Sequence, residues 1–430
     1  MRSKFAISPL VAGLAGAMAV QAQTSGTIHL VYTSDPHYAI TRTRFHQASK
    51  VGAQTVNRAM IRQINALPTR TLPADSGVLA KALVGPIDFL IQTGDIANRM
   101  DSAKSYQSAA ASWAQFWGDY NDSLTLSSRA GTKPSILLAP GNHDATNAIG
   151  YHARMVPDTD PTSMVEIYNR MLNPAVAKTN ATYDYATDKV NYSRDIGGVH
   201  FLFVNMWPDS ANRIWMESDL ASVPASTPVL LFAHDQPSVE AKHFTNPNGT
   251  GTINATDKFE NLLAERLKDG GLTIDDEAVI EMRGLAAFLK AHKNIRAYFH
   301  GNENANEFYT WRGPDNDVAL PTFRVDSPMK GNVSATDETR LSFQLISIDS
   351  AKSIMTVREV RWNPDSTRFA SSAWGESRTI SLDVLPSNDS LLALANSLVD
   401  TNYAIPSWTQ LLRARTRLSQ TGSAEAEASL

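Results

Sequence analysis

The stretch SILLAPGNHD at residues 135–144 joins a short apolar run to a turn that carries Asn142, His143 and Asp144. A short apolar run bounded by turn residues is typical of a strand that is buried on both faces. Gly141 lets the chain turn sharply, so the polar side chains that follow stay close to the strand end. The stretch therefore predicts a buried strand with a polar cluster at its carboxyl end.

Four other apolar runs lead into polar side chains in the same way. Residues 27–33 lead into Asp35 and His37, residues 87–93 into Asp95 and Asn98, residues 229–233 into His234, and residues 295–299 into His300, Asn302, Glu303 and Asn304. The carboxyl ends of the strands in an open α/β sheet meet at one edge, so we expect these side chains to lie together. Asp, His and Asn side chains gathered there predict a metal site.

Helical patterns separate several of these strands, and strands that alternate with helices predict the α/β class. Helices are predicted at residues 54–65, 105–120, 277–292, 390–398 and 406–418, further strands at 199–205, 323–326, 341–348 and 353–361, long loops at 145–190 and 237–275, and a disordered tail from residue 420. The loops are rich in Asn, Thr, Asp, Pro and Gly, and we expect them near the site.

Composition narrows the class of protein. The chain has 430 residues, a formal net charge of -4, 43% hydrophobic residues and 19% charged residues, as ordinary globular proteins do. It contains no dense run of lysine and arginine, so we expect no nucleic-acid polymer as a partner. It contains no cysteine, so any metal site must use Asp, His, Asn and Glu side chains.

The first residues have the pattern of an export signal. Arg2 and Lys4 precede an apolar run at residues 5–20, and residues 20–22 resemble a cleavage site. The run is short and is interrupted by a Ser-Pro pair, so it does not suit a membrane span. We predict a signal peptide at residues 1–22, a periplasmic or secreted protein, and no transmembrane segment after signal removal. A buried N-terminal helix is the alternative.

Each polar motif alone has a simple structural explanation. An Asp-X-His triplet is common in surface turns, and Gly-Asn suits a turn because Asn tolerates left-handed backbone. A single strand-end histidine such as His234 is more often a hydrogen-bonded structural residue than a ligand. Five such motifs in order, each after a predicted strand, indicate a metal cluster instead.

Taken in order, the motifs resemble those of the calcineurin-like metallophosphoesterase family. That family has Asp-X-His, Gly-Asp-X-X-Asp/Asn, Gly-Asn-His-Asp/Glu, a later strand-end His and Gly-His-X-His, and the first four match residues 35–37, 94–98, 141–144 and 234. The resemblance covers about residues 28–362. It implies a layered α/β/β/α sandwich with its metal site at the carboxyl ends of the strands. The predicted domains are therefore a metallophosphoesterase domain at 27–362 and a C-terminal extension at 363–430.

The fifth motif departs from the family pattern. Gly301-Asn302-Glu303-Asn304 stands where the family has Gly-His-X-His. An Asn oxygen is a neutral and harder ligand than imidazole, so we expect Mn²⁺, Mg²⁺, Ca²⁺ or Fe to be favoured over Zn²⁺. His300 or Glu303 is an alternative ligand. A second alternative is that one metal position has been lost.

The resemblance implies a role for each matching residue. Asp95 would bridge two divalent cations; Asp35, His37 and Asn304 would complete one coordination sphere, and Asn142, His234 and Asn302 the other. His143, oriented by Asp144, would stabilise the transition state or protonate the leaving oxygen, and Asn98 would position its neighbours. Tyr38 and Trp207 are predicted to be core or pocket-wall residues; because both follow strand ends, a further hypothesis is that they line the substrate cleft.

The implied function is hydrolysis of a small phosphorylated substrate, either a phosphomonoester or a phosphodiester, by in-line attack of a metal-bridging hydroxide. The alternative is a catalytically impaired protein on the same fold, which holds one metal and binds a phosphorylated ligand. The sequence does not indicate the oligomeric state.

Overall fold

The computed structural model of the protein describes residues 26–98, 107–145, 161–185, 187–239, 274–384, 396 and 405–421. Its strands are β1 (Ile28–Thr33), β2 (Thr41–Phe45), β3 (Ala48–Gly52), β4 (Phe89–Gln92), β5 (Ser135–Leu138), β6 (Tyr192–Ile196), β7 (Val199–Phe203), β8 (Val229–Phe232), β9 (Ile295–His300), β10 (Glu307–Trp311), β11 (Leu320–Arg324), β12 (Ser342–Asp349), β13 (Ile354–Arg361) and β14 (Ala373–Ser381). Its α-helices are α1 (Ala53–Ala66), α2 (Ala109–Trp117), α3 (Asn142–Ala145), α4 (Thr162–Leu172), α5 (Ser210–Leu220), α6 (Ile274–Ala291) and α7 (Ile405–Thr421).

These strands form two six-stranded mixed sheets and one small hairpin. The first sheet has the order β14-β13-β12-β1-β4-β5, in which β1, β4 and β5 are parallel. The second has the order β10-β11-β9-β8-β7-β6, in which β11, β9, β8 and β7 are parallel. Strands β2 and β3 form the hairpin. Each sheet thus has a parallel centre whose carboxyl ends lie side by side.

The two sheets pack face to face through aromatic side chains. The ring of Tyr32 on β1 lies 5.9 Å from that of Phe232 on β8 and 5.5 Å from that of Phe299 on β9, both edge-on. Phe232 and Phe299 stack on each other at 4.6 Å. Each such aromatic pair contributes about 0.5–1.5 kcal/mol beyond the area it buries. These contacts fix how the two strand edges meet.

Helices cover the outer face of each sheet. Alternate residues of a strand point to opposite faces, and Leu231 of β8 and Tyr298 of β9 pack with Met216 of α5 and Leu285 of α6. Helices α1, α2 and α4 bury their apolar residues in the core that contains β1, β4 and β5. The layers therefore run helix, sheet, sheet, helix, which confirms the predicted α/β class and the α/β/β/α arrangement.

Most predicted elements are present. The six buried runs form β1, β4, β5, β7, β8 and β9 within two residues of the predicted bounds, and residues 406–418 lie in α7. The predicted loop at 145–190 contains α4, because Met164, Ile167 and Met171 bury one helical face. The first sheet also continues past residue 362, the predicted domain end, because β14 pairs with β13.

Several predicted segments lie outside the described residues. These are the signal peptide at 1–22, most of the loop at 237–275, the helix at 390–398 apart from residue 396, and the tail after residue 421. None of the described helices has the length and apolar character that crossing a membrane requires.

A buried histidine in the first sheet predicts acid sensitivity. His29 on β1 is 3% exposed, and its Nδ1 lies 2.9 Å from Ser347 Oγ. Burial lowers its pKa from 6.5 to about 4, although the Asp88 carboxylate acts in the opposite direction. Between pH 6.5 and about pH 4, His29 is therefore protonated in the unfolded chain but neutral in the folded chain. The free energy of unfolding falls through this window.

The expected result is that His29→Asn, which keeps a donor for Ser347, loses less stability on acidification than the natural protein. The difference in the free energy of unfolding between the two proteins should change by about 3 kcal/mol between pH 7 and pH 4, at about 1.4 kcal/mol per pKa unit. Urea unfolding at both pH values measures it, and an equal acid loss in the two proteins would contradict the assignment.

Candidate metal centre

The loops after β1 and β4 continue the pairing of the two strands. The amide of Asp35 donates to the Gly94 carbonyl at 3.0 Å, and the amide of His37 donates to the Asp95 carbonyl at 2.9 Å. Parallel strands place equivalent residues side by side, and these bonds extend that order into the turns. Asp35 and His37 are therefore held next to Asp95.

Two glycines let the turns approach each other. A Cβ atom at Gly141 would collide with the Asp95 carboxylate and the His234 ring, and one at Gly301 would collide with Ser34 and the Asp35 carboxylate. Any other residue at either position would push the turns apart. The glycines of the third and fifth motifs thus permit the close packing of the polar side chains.

The backbone at the site is unusual. Five non-glycine residues there have positive φ: Asp35 (54°), His37 (40°), Asp95 (55°), Asn302 (60°) and Asn304 (54°). Such residues are uncommon and cluster at functional sites, where the surrounding fold holds them. Asn adopts this conformation more readily than His does, which gives Asn302 and Asn304 a backbone reason for their identity.

A first donor group contains Asp35, His37 and Asp95, and His143 also lies within metal-ligand spacing of His37 and Asp95. His37 Nε2 lies 3.6 Å from Asp35 Oδ1 and 3.4 Å from Asp95 Oδ2. Asp35 Oδ1 and His37 Nε2 are buried without a hydrogen-bond partner, and so is Asn304 Oδ1. Buried polar atoms are rarely left unsatisfied, so the neighbouring atoms of Asp35 and His37 fit a cation.

The tautomer of His37 is set by Asn98. His37 Nδ1 lies 3.0 Å from Asn98 Oδ1. With that oxygen as the acceptor, Nδ1 carries the proton and Nε2 presents its lone pair to the carboxylates. Hydrogen-bond partners hold metal-binding histidines in this arrangement.

A second donor group contains Asp95, Asn142 and His234. His234 Nδ1 lies 2.6 Å from the Thr93 carbonyl, which can only accept, so Nδ1 is the donor. His234 Nε2 then faces Asn142 Oδ1 at 3.1 Å and Asp95 Oδ1 at 3.4 Å. Asp95 consequently directs Oδ2 toward the first group and Oδ1 toward the second. Its position between the groups is the one that a bridging ligand requires.

The charges at the site favour a cation. Burial raises the pKa of Asp95. Burial also opposes the charged form of His234, but the Asp95 and Asp35 carboxylates outweigh it and raise the pKa of His234 to about 9. The cluster therefore takes up protons when no metal is bound. Metal ligands must release such protons, so binding should be weaker at low pH.

His143 lies at the border of the cluster. Its backbone amide donates to Asp95 Oδ1 at 2.8 Å, and its Nε2 lies 4.0 Å from Asp95 Oδ2. Its ring meets the His37 ring edge-on at 5.1 Å between centroids. His143 can therefore reach a ligand that is bound next to Asp95.

Asp144 fixes the loops that carry the donors. Its carboxylate accepts hydrogen bonds from the amides of Ile96, Ala97 and Gly141 and, at 2.6 Å, from Ser163 Oγ. These bonds connect the turn after β4 to the turn after β5. Asp144 was predicted to orient His143, and in the structure it binds the backbone of the turns after β4 and β5.

The remaining predicted residues have other contacts. The amide of Asn302 donates to Asp35 Oδ2 at 3.0 Å, and its Nδ2 donates to Gln236 Oε1 at 3.0 Å. Glu303 forms an ion pair with Arg324. His300 bonds through Nδ1 with the Gly301 carbonyl and through Nε2 with Tyr309. Among the described residues, the His, Asp and Glu clusters with metal-ligand spacing include neither His300 nor Glu303.

Tyr38 and Trp207 do not line a cleft. Both are fully buried. Tyr38 donates to Asp119 Oδ2 at 2.9 Å, and Trp207 donates to the Gln236 carbonyl at 3.0 Å. The prediction that they line a substrate cleft is therefore wrong, because residues after a strand end are also needed to fill the core between turns.

Lys330 was not among the site residues predicted from the sequence. Its Nζ lies 3.1 Å from His143 Nε2, so it is part of the site. The loop that carries it follows β11, which runs parallel to β9 and ends at the same sheet edge. Lys330 itself lies six residues past the end of β11, so no local sequence signal marks it.

The residues present fit a pair of cations. Three imidazoles and two carboxylates form two groups with metal-ligand spacing, Asn142 Oδ1 lies beside His234 Nε2, and Asp35 Oδ1 and His37 Nε2 are buried without hydrogen bonds. Two carboxylates this close are costly to bury unless positive charge compensates them. The mixed O and N donors suit first-row divalent metals.

No family model matches the sequence, and no curated protein matches it. Solved structures that it resembles include a dimetal phosphatase from Danio rerio (10% identity, covering 83% of this chain and 99% of that one, TM-score 0.47), Vps29 from Entamoeba histolytica (10%, 82% and 99%, 0.30) and the calcineurin-like phosphoesterase YfkN from Bacillus subtilis (9%, 83% and 91%, 0.29).

The order of the strand-end motifs resembles that of the calcineurin-like metallophosphoesterase family, and the helix-sheet-sheet-helix layers are those that this resemblance implies.

Proposed function

We propose that this protein is a metal-dependent phosphoric ester hydrolase of the calcineurin-like type. The observation that supports this proposal is the position of Asp95, whose two carboxylate oxygens face His37 and His234, each at 3.4 Å. Two donor groups thus share one residue, as a dinuclear site requires.

Two divalent cations would activate water and neutralise charge on the phosphoryl group. The first would be held by Asp35, His37, Asp95 and Asn304, and the second by Asp95, Asn142, His234 and Asn302. Asn98 and the Thr93 carbonyl would orient the two imidazoles. His143 would contact the phosphoryl group or the leaving oxygen. The Asn oxygens favour Mn²⁺, Mg²⁺, Ca²⁺ or Fe over Zn²⁺.

The proposed substrate is a small phosphorylated molecule, and the proposed location is the periplasm or the cell exterior. The location is supported only by the sequence pattern at residues 1–22. Sequencing the amino terminus of the mature protein tests it, since a start at Met1 contradicts export by signal cleavage.

A second candidate function is favoured by one contact. Asn302 directs its Nδ2 to Gln236 at 3.0 Å, and it replaces an imidazole that the family motif would supply. If the second cation position is weak for this reason, the protein would bind one cation and a phosphorylated ligand without turning it over.

Metal analysis of the purified mature chain tests the proposal, together with assays of an aryl phosphate monoester and an aryl phosphate diester in Mn²⁺, Mg²⁺, Ca²⁺ or Zn²⁺. The expected result is a content near two cations per chain, with turnover that a chelator abolishes and Mn²⁺ or Mg²⁺ restores better than Zn²⁺. One cation per chain without turnover in any metal would favour the binding protein.

A further inference from the structure

The loop that follows β11, residues 326–336, brings a lysine into the metal centre. Lys330 Nζ lies 3.1 Å from His143 Nε2. A lysine ammonium has three donors and no acceptor, so His143 Nε2 is the acceptor in this contact. The family motifs described above contain no equivalent of this residue.

The Lys330 loop is fastened to the first donor group. Ser327 Oγ donates to the Asp35 carbonyl at 2.8 Å and accepts the amides of Met329 at 3.2 Å and Lys330 at 3.0 Å. The Ser327 side chain thus connects the backbone of Lys330 to the backbone of Asp35. The distance between the ammonium and the metal ligands is therefore set by the fold.

A buried arginine supports the same loop from the β2–β3 hairpin. Arg42 is 2% exposed, its Nη1 donates to the Pro328 carbonyl at 3.0 Å, and its Nη2 donates to the Ser334 carbonyl. On the other side, the Asn332 amide donates to the Asn304 carbonyl. A loop with this many fixed contacts holds its lysine in one place, which is how binding residues are preorganised.

The ammonium contacts His143, which lies within metal-ligand spacing of His37 and Asp95, but it does not contact the unpartnered atoms of the first donor group. Asp35 Oδ1, His37 Nε2 and Asn304 Oδ1 have no hydrogen-bond partner, so Lys330 donates to none of them. The first donor group remains available for a cation, and Lys330 adds a positive charge next to His143. That place is where the phosphoryl group of a substrate would lie in the proposed function.

We propose that Lys330 binds a phosphoryl oxygen of the substrate and makes the enzyme prefer phosphomonoesters to phosphodiesters. This inference rests on the proposed function. A phosphomonoester carries a charge of about -1.5 to -2 at pH 7, while a diester carries about -1. A fixed cation therefore stabilises a bound monoester more than a bound diester. The family's fifth motif has two imidazoles, which are neutral ligands and are absent from this chain. Lys330 supplies a positive charge that those imidazoles would not supply.

The test compares Lys330→Met and Lys330→Arg with Lys352→Met. Lys352 is the control because its side chain is 70% exposed and pairs with Asp349, three residues before it, and with none of the site residues. For each protein we would measure cation content, binding of inorganic phosphate by calorimetry, and kcat/KM for the aryl monoester and diester. Phosphate binding gives a readout that does not depend on turnover.

For Lys330→Met we expect unchanged cation content, phosphate binding at least tenfold weaker, and a monoester kcat/KM about a hundredfold lower, as when one transition-state donor is removed. The diester kcat/KM should fall tenfold at most, and Lys330→Arg should recover part of the monoester activity. Lys352→Met should match the natural protein.

Equal losses on both esters with intact phosphate binding would overturn the proposal, and so would a loss of cations in Lys330→Met, since either outcome would make Lys330 a structural residue. If the natural protein turns over neither ester, the hydrolase function fails. The proposed role of Lys330 is then tested by phosphate binding alone, which must be weaker in Lys330→Met than in the natural protein.

Discussion

Replacing Asp95 with asparagine is expected to abolish cation binding and hydrolysis together. Among the residues that the structure describes, Asp95 is the one side chain shared by the two donor groups, with Oδ2 3.4 Å from His37 Nε2 and Oδ1 3.4 Å from His234 Nε2. The asparagine keeps the shape and one oxygen to accept the His143 amide, but it removes the charge. Loss of a second-shell partner already costs about 10- to 100-fold in metal affinity, so loss of this ligand should cost more.

His143→Ala is the matched comparison. Its backbone amide still donates to Asp95, so we expect cation content to stay unchanged while kcat falls by about 10²- to 10⁴-fold. Metal analysis and single-substrate kinetics on both variants separate the two roles. Equal metal loss in both variants, or full metal content in Asp95→Asn, would show that the roles are assigned to the wrong residues.

Replacing Asp75 with alanine is expected to destabilise the fold by about 3–5 kcal/mol, because it leaves a buried cation unpaired. Arg358 of β13 is fully buried, and its Nε and Nη2 donate to Asp75 at 2.6 and 3.1 Å. Asp75 is also mostly buried, so solvent screens the pair little.

Asp315→Ala tests whether burial is the cause. Asp315 pairs with Arg283 through two bonds of 2.7 and 2.8 Å, but both side chains are about half exposed. An exposed pair contributes at most about 1 kcal/mol. Urea unfolding of the two variants should therefore give clearly different losses, and similar losses would refute the argument from burial.

The strand ends could be predicted because their signal is local. Buried parallel strands need continuous apolar runs, and the turns after them need Gly, Asp and Asn, so β1, β4, β5, β8 and β9 and their polar residues are visible in sequence. The shared position of Asp95 could be expected as well, since the motif order resembles a known family.

Other features depend on contacts between distant segments. Strand β14 has a half-exposed, mixed sequence, and its pairing with β13 decides its conformation. Glu303 has a carboxylate of the kind that binds metal ions, but this carboxylate forms an ion pair with Arg324 of β11. Lys330 looks like any surface lysine until Ser327 and Arg42 are seen to hold its loop. Sequence patterns do not contain these pairings, because each one depends on a partner 12 or more residues away.

The metal-type cluster takes residues from both sheets: Asp35 and Asp95 follow strands of the first, and His234 follows a strand of the second. A cation bound there would join the two halves of the sandwich at their common edge, much as a disulfide joins two segments of chain. The protein has no cysteine. A filled site would thus serve as its cross-link, and the stability of the folded protein would rise and fall with the supply of cations around it.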